Sequence, residues 1–572
     1  MKHIDTPDSD VVGLTSPEAW DSLIASLSRG RTRVTVLAEV LAYARHVLCA
    51  QSAVVEDGYV DRDYRDEFSN IYSKCFRSYG DRAQRVHFFA RELSGIGDIR
   101  DRDPDYLGFM VVRPVEVGVV GRTVLSPPDG RVGIRCYSLC SETFEAHIHG
   151  RCLAVTGAPF IEQDRMSMSC AQASIWMALR YLSQSSRTDH HYPYEISELA
   201  TQHQSDMPRT VPASGLTMQA MVQGIKNNGY GALLEVKPRL EMKEQASRTE
   251  TLAAYWLHRW DPNFRLYTYV ESQVPVLAMF HGASHFHAMT VVGHSKRAEI
   301  VDADLAGVRS LCSHDRIIED LASAAEDEET KEWCAQLRSM SANFLGAQDY
   351  VDAFVVHDDQ HGPYRLLPTS VEARVALEGS PAKPYLTRGD YASVLESLRA
   401  LVVPLPEKLY LEGQFAYQQW FSAFTSPSVF GYLKQLSEHH EMVKALVDAA
   451  EGGSLITRLL FTKSSAFKEW ARDESRSVGL AENVRRHYLS TPMPTYVWVL
   501  ELTTDEYFKG GRELILGEYV FDATANALDP EPFVAVHLPH VLVVHDREGA
   551  WPKDAVPQAV YEDEPHACYR RA

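Results

Sequence analysis

Apolar residues at helical spacing form the clearest pattern in the chain, over residues 163–184. The apolar positions after Cys170 are separated by four, four and three residues: Ala171, Ile175, Leu179 and Leu182. One face of an amphipathic α-helix repeats in this way. The pattern therefore predicts a helix that begins near Ser169, with Cys170 at its N-terminal end and Ser167 or Ser169 as its cap.

A strand pattern appears farther along the chain. Runs rich in β-branched and aromatic residues at 274–280 and 286–292, and a shorter run at 299–301, predict three strands. Residues 293–297 make a short turn between the last two strands, so these two strands form a hairpin. His287 lies on one strand of that hairpin, and Asp302 directly follows the other. The two side chains are expected to face each other across the hairpin.

The rest of the chain mixes the same two patterns. Residues 1–55, 433–450 and 454–472 are predicted to be helical. Further strands are predicted at 108–114, 115–124, 132–136, 144–155, 496–502 and 513–522. Changes in pattern suggest four regions: a helical plus β region at 1–155, a central domain at 156–315, an acidic helical and strand connection at 316–365, and a mixed α/β domain at 366–572. The predicted fold class is α+β.

Composition and charge narrow the function classes. The 572 residues are 45% apolar and 23% charged, as in an ordinary globular protein. The net charge of −20 argues against nucleic acid or an anionic membrane as the main partner, since both require concentrated Lys and Arg. The N-terminal segment has neither the basic start nor the apolar core of a secretory signal, and no run of apolar residues is long enough to span a bilayer. We therefore expect a cytoplasmic protein.

The nine cysteines are odd in number and scattered, which is not the pattern of a disulfide scaffold. Reduced thiols in a reducing compartment suit a catalytic cysteine. One compact group offers potential metal ligands: Cys136, Cys140, His147, His149 and Cys152. Structural zinc sites usually carry such residues as closely paired cysteines, whereas these alternate within strand-like sequence. We interpret them as strand residues and predict no metal site.

Cys170 and His287 are the candidates for nucleophile and base. A thiol at a helix N-terminus lies at the positive end of the backbone dipole, which favours the thiolate. A histidine base and an orienting carboxylate complete the set that a thiol nucleophile requires, and Asp302 offers that carboxylate. Gln163 lies upstream on a polar loop, where its amide could help to hold an oxyanion.

Several elements in order resemble the papain-like cysteine peptidases, and among them the bacteriocin-processing (double-glycine leader) peptidases. The matching elements, over about residues 159–307, are Gln163-Asp164, Ser169-Cys170-Ala171, Ser214-Gly215-Leu216-Thr217, Val274-Pro275, His287 with Gly293, and Ile300-Val301-Asp302. The resemblance implies a papain-like domain in which a helix carrying the cysteine packs on an antiparallel sheet carrying the histidine and the aspartate. It implies Cys170 as nucleophile, His287 as base, Asp302 as orienting acid and Gln163 as oxyanion donor.

Three positions depart from that family pattern. Gln163 lies seven residues before Cys170 rather than six, so Asp164 occupies the usual position. Asp304 lies two residues beyond Asp302 and remains an alternative third member. His285 shares a strand face with His287, and only the distance to Gly293 favours His287.

The resulting hypothesis is a cysteine peptidase that cleaves a peptide or isopeptide bond without a metal or an organic cofactor. Two alternatives remain: a transglutaminase, deamidase or acyltransferase with the same triad, or a catalytically silent papain-like binding module in a larger assembly. The expected partner is a protein or peptide substrate. The N- or C-terminal regions are available for a further protein partner, and a bacterial regulated protease would fit this architecture.

Overall fold

The structure is a computed structural model with a mixed α+β fold. It describes residues 9–31, 33–128, 136–137, 140–202, 215–237, 261–281, 286–296, 328, 331, 344–388, 395–424, 427–509, 514–526, 532–544, 565–567 and 569. Within these residues, no helix combines the length and apolar character needed to cross a bilayer.

The chain folds into two compact units whose segments alternate along the sequence. Unit 1 comprises residues 1–237, 273–296 and 352–407, and unit 2 comprises residues 238–272, 297–351 and 408–572. The predicted boundaries at 155, 315 and 365 do not coincide with the borders of these units. Residues 1–155 belong to the same unit as Cys170 and His287.

Unit 1 begins with an antiparallel sheet of six strands in the order β1-β2-β3-β4-β5-β9. The strands are β1 Ser9–Gly13, β2 Ser52–Tyr59, β3 Ala83–Phe89, β4 Tyr106–Val112, β5 Val120–Leu125 and β9 Pro159–Phe160. The helices of this part are α1 Pro17–Ser28, α2 Thr35–His46 and α3 Arg62–Asn70, and short 3-10 turns follow at Tyr72–Lys74 and Ile96–Asp98. The predicted strands at 108–114 and 115–124 thus correspond to β4 and β5.

A second sheet of unit 1 carries the histidine. Its order is β10-β16-β11-β12-β14-β15, and β6 also pairs with β12. The strands are β6 Cys136–Tyr137, β10 Gly231–Val236, β11 Val276–His281, β12 Phe286–Lys296, β14 Val351–Asp358, β15 Gly362–Pro368 and β16 Leu398–Leu405. Helix α8 Val371–Glu378 and the 3-10 turns Lys383–Tyr385 and Leu395–Ser397 accompany them.

Two helices pack on this second sheet, α4 Cys170–Ser186 and α6 Met218–Asn227, and a third, α5 Pro193–Thr201, packs on both of them. Helix α4 contacts β12, where the Thr290 hydroxyl donates to the Ser174 carbonyl at 3.3 Å. The apolar face of α4 lies in the hydrophobic core of unit 1, and Ile175, Trp176 and Leu179 are buried there. The predicted helix is confirmed, because burial of that face is what the apolar spacing requires.

The segment predicted as one strand at 144–155 is a hairpin, with β7 Glu142–Ile148 paired to β8 Arg151–Gly157. The chain reverses at His149 and Gly150, which both have positive φ, 45° and 78°. Glycine readily adopts this left-handed conformation, so it is the natural residue for the reversal.

Unit 2 is built on a sheet in the order β13-β17-β18-β20-β21-β22, in which only β13 and β17 pair in parallel. Its strands are β13 Phe344–Gly346, β17 Leu455–Lys463, β18 Tyr496–Thr504, β20 Gly517–Asp522, β21 Phe533–Leu538 and β22 Val541–Val544; β19 Leu514–Ile515 pairs with β23 His566–Ala567. The helices are α7 Pro262–Glu271, α9 Gly413–Phe424, α10 Pro427–Ser437, α11 Glu441–Gly452, α12 Ser464–Arg472, α13 Glu482–Ser490 and α14 Asp505–Lys509, and a 3-10 turn spans Ala347–Tyr350.

The helix predicted at 454–472 is wrong in its first half. Residues 455–463 form the central strand β17, and the helix α12 begins only at Ser464. All of β17 except Lys463 is buried, so its continuous apolar run does not distinguish a strand from a helix. The helix predicted at 433–450 is instead two helices, α10 and α11.

Candidate active site

Cys170 is the first residue of helix α4. Ser169 precedes the helix in an extended conformation, and its backbone N–H donates to Gln172 Oε1 at 3.2 Å. The Ser169 hydroxyl bonds the same oxygen. This capping arrangement fixes the helix start at Cys170. The first N–H groups of a helix have no acceptor within it, so they are directed toward the region of the partly exposed thiol.

His287 lies on β12 beside this thiol. The Cys170 thiol lies near enough to the ring to help raise the pKa of His287. On the other side of the ring, His287 Nε2 lies 3.0 Å from Asp358 Oδ1, at the end of the neighbouring strand β14. Both the imidazole and the Asp358 carboxyl are fully shielded from solvent. The structure therefore brings together a thiol, an imidazole and a carboxylate in one unit.

Electrostatics favours a charged imidazole. Burial alone would lower the pKa of His287, but the carboxylate of Asp358 and the hydrogen bonds to Asp358 and Cys170 hold that pKa well above its usual value. Burial would raise the pKa of Asp358, but His287 outweighs it and lowers the pKa well below the usual range. The ring is thus stabilised as imidazolium beside a permanent carboxylate, the charge state that supports a neighbouring thiolate.

Gln360 contacts the other ring nitrogen. Its Nε2 lies 3.1 Å from His287 Nδ1, two residues after the orienting Asp358. An ionised carboxylate only accepts, so a neutral His287 carries its proton on Nε2 and accepts at Nδ1 from the Gln360 amide. When Nδ1 is protonated, a rotated amide can offer its oxygen instead. Since Nε2 faces Asp358, Nδ1 is also the nitrogen left for the Cys170 thiol, so the Gln360 amide and the thiol share it.

Asp359 adds a second buried carboxyl. Its Oδ1 lies 3.7 Å from His287 Nε2, and neither of its oxygens has a hydrogen-bond partner among the described residues. Burial raises the pKa of Asp359 to about 7, with the charge of Asp358 adding to the effect and that of His287 opposing it. Asp358 and Asp359 therefore differ in ionisation although they are adjacent in sequence.

The loop before α4 is organised by Asp164. Its two oxygens accept from three backbone N–H groups at 2.9–3.0 Å and from two hydroxyls: Met166, Ser167, Met168, the Ser167 side chain and the Tyr72 side chain. The carboxylate replaces the acceptors that this irregular segment lacks. Asp164 thus has a structural role in holding the chain that leads into Cys170.

A buried ion pair lies beneath the same loop. Arg113 Nη1 contacts both oxygens of Glu67 at 2.9 Å, and the Ser167 hydroxyl donates to Glu67 at 2.8 Å. Burial raises the pKa of Glu67 to about 7 despite the opposing charge of Arg113. Arg113 also donates to the Glu162 carbonyl at 2.8 Å, so the first sheet of unit 1 is tied to the loop.

Gln163 lies in this loop and is buried. Its carbonyl closely approaches Gly118, which has φ 72°, and a Cβ at that glycine would lie 2.5 Å from the Gln163 oxygen. Both the conformation and the contact require glycine at 118. The approach fixes the backbone of Gln163 on the side of the loop that faces the first sheet.

The aspartates predicted to orient His287 do not include the one that contacts it in the structure. Asp302, Asp304 and His285 lie outside the described residues, and Asp302 and Asp304 stay predictions as the orienting acid. At Nε2 of His287 the structure places Asp358, a residue that is not among the predicted site residues. The signal was present, because Asp358 follows the apolar run Phe354-Val355-Val356, with one histidine between, much as Asp302 follows Ile300-Val301.

The cysteine and histidine cluster near residue 140 is only partly assembled. His147 and Cys152 are direct partners across the β7–β8 hairpin, and Glu145 lies near them on the surface. Cys136 lies on β6, and Cys140 is buried with its N–H donating to the Val292 carbonyl at 2.9 Å. The strand interpretation holds for His147 and Cys152.

No protein-family model, no curated protein and no solved structure matches this chain.

Proposed function

We propose that the protein is a cysteine peptidase with a papain-like domain in unit 1, in which Cys170 is the nucleophile and His287 the base. The observation that carries the proposal is the placement of Cys170, at the start of a helix packed on β12, beside His287, whose Nε2 lies 3.0 Å from Asp358. A nucleophile, a base and a group that orients the base are the parts that covalent acyl transfer needs.

The arrangement of elements supports the same proposal. The cysteine helix α4 packs on β12, which carries the histidine, and β14 beside it ends in the aspartate. This is the order of helix, histidine strand and acid strand that the family resemblance implies. Asp358 takes the orienting role in this proposal.

The reaction would proceed in two stages. The Cys170 thiolate attacks the carbonyl carbon of a peptide or isopeptide bond, and the backbone N–H of Cys170 together with the Gln163 amide stabilises the oxyanion. His287 gives its proton to the leaving amine, which departs and leaves a thioester. A water then loses a proton to His287 and attacks the thioester, releasing the carboxylic acid and restoring the thiol.

Substrate and location follow from the same reasoning. A protein or peptide supplies the amide, and the acidic chain makes nucleic acid and anionic membranes poor partners. A reducing compartment such as the cytoplasm keeps the nucleophilic thiol reduced.

Isotope labelling in a mixture of peptides tests this function. The full-length protein, incubated with the mixture in H₂¹⁸O, should generate new C-termini that each carry one ¹⁸O atom, as detected by mass spectrometry. The products should disappear in C170A and persist in C152A, which removes a partly exposed cysteine from the β7–β8 hairpin.

Two outcomes would contradict a peptidase. Cleavage that persists in C170A would remove Cys170 from the chemistry. Cys170-dependent release of ammonia from side-chain carboxamides, with peptide and isopeptide bonds left intact, would instead support a transglutaminase or a deamidase.

A further inference from the structure

Unit 2 contains a second cluster of chemically reactive side chains. Glu518 lies on β20, His537 on β21 and His566 on β23. Each of the three residues is only 1% exposed. One potential ligand atom from each lies within 4.8 Å of the others. Nothing in the proposed peptidase chemistry uses these residues.

The potential ligand atoms lie close to the spacing of ligands around one ion. His566 Nε2 lies 2.9 Å from Glu518 Oε2, and His537 Nδ1 lies 3.3 Å from the other oxygen, Glu518 Oε1. Ligand atoms about 2.0–2.1 Å from a tetrahedral ion are about 3.3 Å apart, and one atom from each of the three residues lies within 4.8 Å of the others, so small side-chain adjustments bring them to that spacing. The imidazole centroids are 5.2 Å apart, which leaves both rings able to direct a nitrogen at one point.

We propose that Glu518, His537 and His566 bind a divalent transition-metal ion of the zinc class. Two imidazole nitrogens and one carboxylate oxygen are ligands that zinc accepts, whereas magnesium and calcium prefer sites made of oxygen. The described residues supply three ligands, and the fourth position is left to water.

The charge state of the cluster suits a cation. Burial alone would raise the pKa of Glu518, but the facing imidazoles of His566 and His537 outweigh it and lower that pKa well below the usual range. The carboxylate is therefore ionised. Because an ionised carboxylate only accepts, His537 Nδ1 and His566 Nε2 donate protons to Glu518, and a bound ion would displace these protons.

A tyrosine orients the carboxylate. The hydroxyl of Tyr488, on α13, donates to Glu518 Oε1. A hydrogen bond of this kind fixes the direction of a ligating carboxylate and is a usual companion of metal ligands.

The site links separate parts of the chain. His566 on β23 pairs with Ile515 on β19, whereas Glu518 and His537 are paired residues of β20 and β21. An ion bound by all three joins the short β23 strand to the larger sheet of unit 2. It would stabilise the folded state by binding that state alone.

Metal titration of a matched set of full-length variants tests the site. The parent carries C170A and C152A, so that neither the candidate active-site thiol nor the Glu145, His147 and Cys152 group binds zinc through sulfur. After chelator treatment and dialysis, zinc sulfate is titrated by calorimetry, and cobalt binding is followed by visible absorption. Because Cys170 is absent, the result is independent of the proposed peptidase function.

We expect one equivalent of zinc per parent chain and tetrahedral-type cobalt absorption bands without thiolate charge transfer. H566Q should weaken zinc binding by at least about 100-fold, whereas H487Q, which removes an exposed histidine of α13, should leave it unchanged. No saturable zinc binding by the parent, or equal affinity in the parent and H566Q, would overturn the proposal. If circular dichroism shows that H566Q is unfolded, E518Q replaces it. If E518Q is also unfolded, the parent protein alone tests the site. A parent that shows neither the cobalt bands nor a zinc-dependent rise in Tm overturns the proposal.

Discussion

At the scale of the residue, the candidate site depends on two adjacent carboxyls that behave oppositely. Asp358 accepts from His287, and the partnership lowers its pKa. Asp359 has no hydrogen-bond partner among the described residues, and burial raises its pKa to about 7. Position on the hairpin, rather than residue type, decides which carboxyl carries charge.

The pKa of Asp359 has a consequence for stability. An unfolded aspartate has a pKa of about 3.9, so folding takes up a proton at this residue between that pH and about 7. Its contribution to the free energy of unfolding therefore falls as pH rises through this window, and the loss is complete above about pH 7.

We expect D359N, which cannot ionise, to raise the free energy of unfolding by on the order of 1–3 kcal/mol at pH 8 and by much less at pH 4. Urea unfolding followed by tryptophan fluorescence measures both values. D189N, which replaces an exposed aspartate, should be neutral at both pH values. A D359N protein less stable than wild type at pH 8 would contradict this account of Asp359.

The identity of Asp358 could not be predicted from sequence by local reasoning. The nearest aspartate after the His287 strand is Asp302, and a hairpin is the simplest topology that brings such a residue to the histidine. Asp358 instead lies 71 residues after His287, at the end of β14, so no local pattern pairs the two residues. Only the short apolar run before each aspartate is visible in the sequence.

At the scale of the element, α4 depends on neighbours that come much earlier in the chain. Tyr72 and Glu67 contact Asp164 and Ser167 in the loop before α4, and Asp66 on α3 accepts from the Tyr194 N–H at the start of α5 at 2.8 Å. These contacts make α3 and its following turn a support for the nucleophile. The spacing of apolar residues in α4 predicts the helix from the sequence. These polar contacts join residues far apart in the chain and produce no periodic pattern, so the sequence does not predict them.

Substitution of Asp164 should lower the reactivity of Cys170, although Cys170 itself is unchanged. D164A removes the acceptor of five hydrogen bonds, and each of the three loop N–H groups among them costs about 1–3 kcal/mol when it is buried and unsatisfied. We expect the loop to rearrange and the rate of Cys170 alkylation by iodoacetamide to fall at least tenfold.

Y72F is the matched control, because it removes one of those five hydrogen bonds and keeps the ring. It should change the Cys170 rate by less than about threefold, since the remaining acceptor contacts persist. Circular dichroism establishes that each variant is folded. A folded D164A protein that alkylates at the wild-type rate would show that the loop does not position the thiol.

At the scale of the whole molecule, the two units are interleaved along the chain. Unit 1 is interrupted twice by segments of unit 2, at 238–272 and 297–351. Predictions made from neighbouring sequence therefore succeed for α4 and β11, which each lie within one segment. Strand β12 extends to Lys296, through residues predicted as a turn. The units are defined by contacts between distant segments, which local sequence patterns do not report.

The central claim is that Asp358 supports a reactive pair formed by Cys170 and His287. An ordinary cysteine has a pKa of about 8.5 and is almost wholly protonated at pH 6, whereas a thiolate paired with imidazolium reacts there. The raised pKa of His287 keeps the imidazolium present above pH 6.5, and the pair is lost as pH rises through that raised value.

The most direct measurement is the rate of iodoacetamide alkylation at each cysteine from pH 5 to pH 9, resolved by mass spectrometry, in the wild type and in D358N, D302N and D304N. We expect Cys170 to react at least about tenfold faster than Cys152 at pH 6, and D358N to remove this advantage, because it removes the carboxylate that stabilises the imidazolium of His287. D302N and D304N should match the wild type. The account would be contradicted if Cys170 reacted no faster than Cys152 at pH 6, or if D302N or D304N, rather than D358N, abolished its reactivity.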